Sequence, residues 1–283
     1  MSELIWLNGE IMPMAEARIG VEDRGFQFAD GVYEVIRFYN GRPFAMREHL
    51  ERLERSAAGI RLACPIERDR LDAEIRRFID RTRIGEGMVY LQLTRGVSMR
   101  NHVFPGVCTS TLLFYARQLP PLPEVGQGEG VKLMSVPDER WKRCWIKSIA
   151  LLPNVLAKNE AVAKGYDEAV FVEKGILTEC AASNLFAVSG KKLITHPVGS
   201  KVLPGITRAV LLEIAQEIGL EVDERGISED DARRADELFI TSTTREISWV
   251  ARLNDRYIAQ GRCGPTTMAL HRALRERIAR ETA

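Results

Sequence analysis

The start of the chain alternates between two hydrophobic periodicities. Apolar residues in Leu4-Ile5-Trp6-Leu7 and Ile11-Met12 flank Asn8-Gly9. An Asn-Gly pair between apolar runs is the strongest short hairpin signal, because both central positions of the tight turn need positive φ. Tyr39-Asn40-Gly41 repeats the signal. Between the two, Gly31 to Phe38 alternates as a strand does, whereas Glu48 to Arg61 and Leu71 to Thr82 carry apolar residues at helical spacing. Strand patterns resume at Val89 to Thr94 and Ser110 to Ala116. Residues 1–117 are therefore expected to form a small α+β domain of hairpins and two helices.

Leu119-Pro-Pro-Leu-Pro-Glu-Val-Gly-Gln-Gly-Glu-Gly130 has no periodicity and is dense in proline and glycine, which marks an interdomain linker, placed at 118–127. The second domain, 128–283, reads as mixed: strands at Val131 to Val136, Glu168 to Val172, Asn184 to Val188, Lys192 to Thr195 and Leu238 to Thr241, and helices around Asn154 to Lys164, from Pro204-Gly205 onward and over Met268 to Arg280. The fold class this predicts is α/β in the broad sense, an α+β mixture in two domains.

With 283 residues and 45% hydrophobic content the chain can fill two cores. Its 40 basic and 39 acidic residues leave a net charge of +1, too little for the field that nucleic acid or an anionic membrane would select. No apolar run reaches membrane-spanning length and Met1-Ser2-Glu3 does not begin a signal peptide, so a cytoplasmic protein is expected. The five cysteines are scattered without a C-x-x-C pair, which points to reduced thiols and to neither a disulfide framework nor a metal site.

Candidate chemistry sits in the second half. Lys147 ends Arg140-Trp-Lys-Arg-Cys-Trp-Ile-Lys147. A lysine is by default a solvated surface residue, but Trp145, Ile146, Ile149 and Leu151 would leave this amine partly desolvated, a neutral nucleophile suited to an aldehyde. Lys142 is the rival; its neighbours Arg140 and Arg143 suggest an exposed turn. Glu179 follows Ile176-Leu-Thr and precedes small residues, an anion that a flat heterocycle could approach; alone it reads as a surface carboxylate. Together an amine and a carboxylate are what pyridoxal 5'-phosphate requires, one for its aldehyde and one to keep its ring nitrogen protonated. Ile206 and Thr207 begin a helix whose N–H groups could face a phosphate, and Ser242 and Thr243 offer further donors after a strand. Arg52 belongs to a run with Arg47 and Arg55 that usually means a solvated helix face. Arg100-Asn101-His102 puts a cation and an imidazole in one loop able to clamp a carboxylate.

Phe28-Ala-Asp-Gly-Val-Tyr33-Glu, His49-Leu-Glu-Arg52-Leu, Leu93-Thr-Arg-Gly, Lys147-Ser with Asn154 to Ala161, Leu177-Thr-Glu179 with Ser183-Asn184-Leu-Phe, Pro204-Gly-Ile-Thr207-Arg and Ser242-Thr243-Thr-Arg-Glu occur in that order. In this the chain resembles, nearly end to end, the fold-type IV pyridoxal-phosphate enzymes: branched-chain and D-amino acid aminotransferases and aminodeoxychorismate lyases. The resemblance implies a β-barrel-like second domain, a homodimer, and a cofactor in the cleft between the two domains. Lys147 would form the Schiff base and shuttle a proton, Glu179 would pair with the pyridine nitrogen, and Arg52, Ile206, Thr207, Ser242 and Thr243 would hold the phosphate.

Within that family, Tyr33 with Arg100 and His102 resembles the carboxylate trap of D-amino acid aminotransferases, the last two supplied by the partner subunit. The implied reaction converts D-alanine and 2-oxoglutarate to pyruvate and D-glutamate in two half-reactions. The alternatives are a branched-chain L-amino acid or (R)-amine transaminase, an aminodeoxychorismate lyase, and, outside enzymes, a binding protein in which Lys147 is structural. Cys180-Ala181-Ala182 departs from the Gly and serines of the D-amino acid enzymes, which touches the tuning of the cofactor and leaves the main groups in place.

Overall fold

The computed structural model describes residues 3–283. These form strands β1 (Leu4–Leu7), β2 (Glu10–Pro13), β3 (Gly31–Tyr39), β4 (Arg42–Pro43), β5 (Gly87–Thr94), β6 (Thr111–Gln118), β7 (Val131–Pro137), β8 (Glu168–Glu173), β9 (Ile176–Cys180), β10 (Asn184–Ser189), β11 (Lys192–Thr195), β12 (Glu221–Glu224), β13 (Ile227–Ser228), β14 (Glu237–Ser242), β15 (Glu246–Leu253) and β16 (Arg256–Tyr257). The helices are α1 (Arg24–Phe28), α2 (Met46–Gly59), α3 (Arg68–Thr82), α4 (Leu152–Ala163), α5 (Ile206–Glu217), α6 (Glu229–Arg234) and α7 (Pro265–Glu281). The chain divides into two compact units that do not follow it in single pieces. The first holds residues 1–120, 146–150 and 279–283; the second holds 121–145 and 151–278.

The first unit is a six-stranded antiparallel sheet in the order β2-β1-β6-β5-β3-β4. Both Asn-Gly turns occur as the sequence implies: Asn8 and Gly9 have φ of 50° and 103°, Asn40 and Gly41 51° and 73°, the pair of positive values that a two-residue hairpin needs. Period-2 alternation buries Val32, Glu34, Ile36, Val89, Leu91 and Leu93 on one face; α2, with Leu50, Leu53 and Ala57 buried, packs on β3, and α3, with Leu71, Ile75 and Phe78 buried, packs on α2 and β6. Each such aliphatic side chain contributes about 1.5–3 kcal/mol on burial. Glu34 is the one charged member of that face, and it leads to the site. The opposite face is half-buried and carries a row of stacked rings, Tyr33, Tyr90 and Tyr115.

In the second unit, β10-β14-β15-β7-β8-β9 form a ring, since β9 also pairs with β10. The barrel is closed by one residue pair, Glu179 opposite Asn184. Its interior is aliphatic: Leu133, Val170, Leu177, Leu185, Ile240 and Val250. β12 extends the sheet parallel to β11; α4 packs on β7 and β8, and α5 on β12 and β14. This is the mixed, barrel-containing architecture expected for the larger part of the chain.

Candidate active site

Lys147 lies outside regular structure, yet its backbone is fixed. Ser148 bridges Val32, the Tyr33 N–H donates to the Lys147 carbonyl (3.0 Å), the Ile149 N–H donates to the Gly31 carbonyl (3.1 Å), and the Lys147 N–H donates to Ser56 Oγ of α2 (3.1 Å). The side chain is half-buried, as its apolar neighbours imply, with Nζ 4.2 Å from the centre of the Tyr33 ring. The rival Lys142 is exposed, and so is Arg143, but Arg140 does not share the exposed turn that its neighbours suggest: its side chain is only 5% exposed.

Arg52 also departs from the default for its run. Arg47 and Arg55 are exposed, whereas Arg52 is buried. His49, Arg52 and Ser56 fall on one stripe of α2, three to four residues apart, and this stripe faces β3. There Arg52 donates through Nε to Glu34 Oε1 (2.7 Å) and through Nη2 to Oε2 (2.8 Å), and His49 Nδ1 lies 2.8 Å from Oε2. Burial alone would raise the Glu34 carboxyl, but the charge and hydrogen bonds of Arg52, with His49 added, hold it well below the usual carboxylate range. Burial pushes the His49 imidazole down, against the pull of Glu34. The cluster therefore holds a fixed guanidinium on the face of α2 that also anchors Lys147.

Arg100 and His102 are exposed and gather around Phe28: the Arg100 guanidinium lies 4.5 Å from the ring centre and the imidazole 5.3 Å. Neither makes a hydrogen bond or ring contact with Tyr33 among the described residues. Behind the loop, Arg24 is buried, donates to the Asn101 carbonyl (2.5 Å) and to Asp30 (2.8 Å), and also lies over Phe28. Arg24 thus holds the loop from within; its burial beside a turn gave the sequence no signal.

In the second unit, Glu179 is gripped from three directions. Arg140 Nη1 donates to Oε1, while Asn184 Nδ2 (3.1 Å) and the Leu203 N–H (3.0 Å) donate to Oε2. Arg140 is itself clamped by Asp138 through Nε (2.9 Å) and Nη2 (2.8 Å), and Nη2 reaches the Lys201 carbonyl (2.9 Å). Burial opposes charge on both Arg140 and Asp138, yet their pairing outweighs it: the Arg140 guanidinium is pushed above its ordinary value and the Asp138 carboxyl held below its own. Such charge-assisted bonds are worth roughly 1.5–3 kcal/mol each.

The expected phosphate loops lie close by in the fold. Asn184 stands opposite Thr241 on β14, so Glu179, Asn184 and Thr241 run side by side across three strands, and Ser242 and Thr243 follow at the end of the third. Ile206 and Thr207 open α5 behind the N-cap Gly205, which offers no side-chain cap. First-turn N–H groups without a capping side chain, carrying the positive end of the helix dipole, suit an anion. Thr241 Oγ1 is buried beside these residues without a hydrogen-bond partner. The second unit thus brings together Glu179, Ile206, Thr207, Ser242 and Thr243; the first brings together Tyr33, Arg52 and Lys147. Sequence reasoning gave no role to Glu34, His49 or Arg140. The charged Glu34 on an otherwise apolar face of β3 was the legible signal.

The family described as Amino-transferase class IV matches residues 31–253, and the chain belongs to that family. Within it, the chain is 38% identical to the D-alanine aminotransferase of Bacillus licheniformis, over 99% of this chain and 98% of the relative. It is 41% identical to the D-alanine aminotransferase of Listeria monocytogenes, over 97% and 96%. Among solved structures it is similar to the T.th. branched-chain amino acid aminotransferase with pyridoxamine 5'-phosphate, at a TM-score of 0.91 and 26% identity, covering 99% of this chain and 95% of that one.

Proposed function

We propose that this aminotransferase moves amino groups between D-amino acids and 2-oxo acids, with D-alanine and 2-oxoglutarate giving pyruvate and D-glutamate, and that pyridoxal 5'-phosphate is its cofactor. The observation that carries the substrate reading is the contrast in likeness: 38–41% identity to D-alanine aminotransferases over nearly the whole chain, against 26–28% to branched-chain enzymes of the same fold. Tyr33, Arg100 and His102 supply groups suited to a small carboxylate, which supports it further.

The residues present fit the cofactor. An uncapped helix start at Ile206 and Thr207, with the buried, unpartnered Thr241 hydroxyl nearby, suits a phosphate dianion, and a buried carboxylate paired with Arg140 suits a pyridinium. When bound, the group supplies an aldehyde for the amine and an electron-accepting ring. Lys147 provides the amine that holds the aldehyde and then takes the proton from the substrate α-carbon. Glu179 keeps a proton at the ring nitrogen. Arg52, Ile206, Thr207, Ser242 and Thr243 hold the phosphate, and Tyr33, Arg100 and His102 bind the substrate carboxylate, which fixes the face from which the α-hydrogen is removed.

The chain acts as a homodimer in this reading. Val21, Phe26, Met99, Val103 and Val107 are exposed apolar residues on the segments that carry or flank Arg100 and His102, and clustered apolar exposure of this kind marks an interaction surface. Five free cysteines suit a reducing compartment such as the cytoplasm; no described helix is long and apolar enough to cross a membrane.

The test is a panel of D- and L-amino acids offered to purified protein with pyridoxal phosphate and 2-oxoglutarate. D-alanine is expected to be consumed with formation of D-glutamate. Preferential turnover of L-leucine or L-valine would overturn the D-substrate reading in favour of the branched-chain one. Release of pyruvate from aminodeoxychorismate without an amino acceptor would favour the lyase.

A further inference from the structure

We propose that Asn184 is a positioning residue: its side-chain amide ties the Glu179 carboxylate to the Leu203–Gly205 strap, so that the ring-nitrogen partner and the phosphate-facing helix start are held as one body. This rests on the reading of Glu179 and α5 given above.

Asn184 is buried at the head of β10, in the residue pair that closes the barrel. Both protons of its amide are used: Nδ2 donates to Glu179 Oε2 (3.1 Å) and to the Leu203 carbonyl (3.0 Å). The Leu203 N–H donates to the same Oε2 (3.0 Å). Both polar groups of one residue are thus engaged by Glu179 and Asn184 together, two residues before α5 is capped. The amide oxygen faces Gly205, where an added Cβ would come within 2.0 Å of Oδ1 and no nearer than 3.3 Å to Arg208. Gly205 has φ −63° and ψ 135°, a conformation open to any L-residue. Glycine is required there by the Asn184 side chain and not by the backbone, which makes the two residues a matched pair.

The experiment compares Asn184→Ala, Gly205→Ala and the double variant. Each is read by titration with pyridoxal phosphate, by the pH dependence of the bound cofactor's absorbance, and by thermal unfolding. Asn184→Ala is expected to weaken cofactor binding by roughly 10- to 100-fold, the worth of a hydrogen bond to a charged group, and to shift the pH at which the absorbance changes, which a merely structural loss would leave alone. Gly205→Ala is expected to weaken binding too, and the double variant to bind no worse than Asn184→Ala, since the clash is gone. Strictly additive losses, or Asn184→Ala with wild-type affinity and pH profile, would overturn the proposal. Should Asn184→Ala not fold, the near-isosteric Asn184→Asp decides: a second carboxyl beside Glu179 must weaken binding progressively as pH rises above the carboxylate range, and a pH-independent ratio to wild type counts against the role. A wild type with no affinity for pyridoxal phosphate overturns the functional reading itself, whereas a binding wild type with an unaltered Asn184→Ala overturns this proposal alone.

Discussion

Each unit buries an arginine against a carboxylate, and the two pairs are built in opposite senses. In the first, Arg52 is the group assigned work, and Glu34 and His49 support it. In the second, Glu179 is the group assigned work, and Arg140, Asn184 and the Leu203 N–H support it. The first cluster is assembled within 18 residues of chain, from a strand and the helix that follows its hairpin. The second gathers residues 138 to 203, from a loop, two strands and a strap. A buried charge needs a partner in either case; what differs is how much of the chain must be folded before the partner arrives.

In the reaction proposed above, neither pair should matter as much as the Lys147 amine. Lys147→Ala is expected to reduce transamination on the order of 10²–10⁴-fold or more, with the circular dichroism of the wild type; retained turnover would remove the centre of the comparison. Next come the supports. Glu34→Gln and Arg140→Met each leave a buried charge unmatched and should each cost about 3–5 kcal/mol in urea unfolding, and a loss under about 1 kcal/mol for either would show that its unit does not depend on the pair. Arg100→Ala touches an exposed loop, so it should leave unfolding unchanged while raising KM for D-alanine roughly 10- to 100-fold. An equal loss of stability would show that the loop is a structural element.

The smallest effect is that of acid, and it separates the clusters. The Glu34 and Asp138 carboxyls lie below their ordinary values when folded. The unfolded chain therefore binds more protons, and the stability these groups give is complete above about pH 5 and lost as pH falls toward the folded values. His49 is also shifted down, by burial, so its contribution starts to fall as pH drops through about 6.5. Hydrogen exchange at about pH 8, 5.5 and 3.5, which spans both ranges, should show α2 and β3 losing protection before β9. The reverse order would mean that His49 is not held neutral.

Local chemistry was legible where it is self-sufficient. Both Asn-Gly turns and the amphipathic α2 and α3 carry their own signals, and those helices lie close to their expected bounds. β12, with the sequence Glu-Val-Asp-Glu, and β15, broken by Arg252, gave no strand pattern because their place is set by neighbours in the sheet. The same holds at the site. Lys147 was separable from Lys142 by its apolar neighbours, while the burial of Arg52 depended on which stripe of α2 meets β3. The support that Arg140 gives Glu179 crosses 39 residues, a distance over which single-sequence patterns say nothing.

The assignment of residues 146–150 and 279–283 to the first unit makes the molecule unsuited to dissection. No single cut yields either unit whole: a fragment ending near residue 120 lacks the Ser148 bridge to Val32 and the terminal tail, and one starting there carries segments that belong elsewhere. Gene fusions, split reporters and truncation series should be planned around the intact polypeptide, because the lysine travels with a body of protein from which the flanking chain departs on both sides.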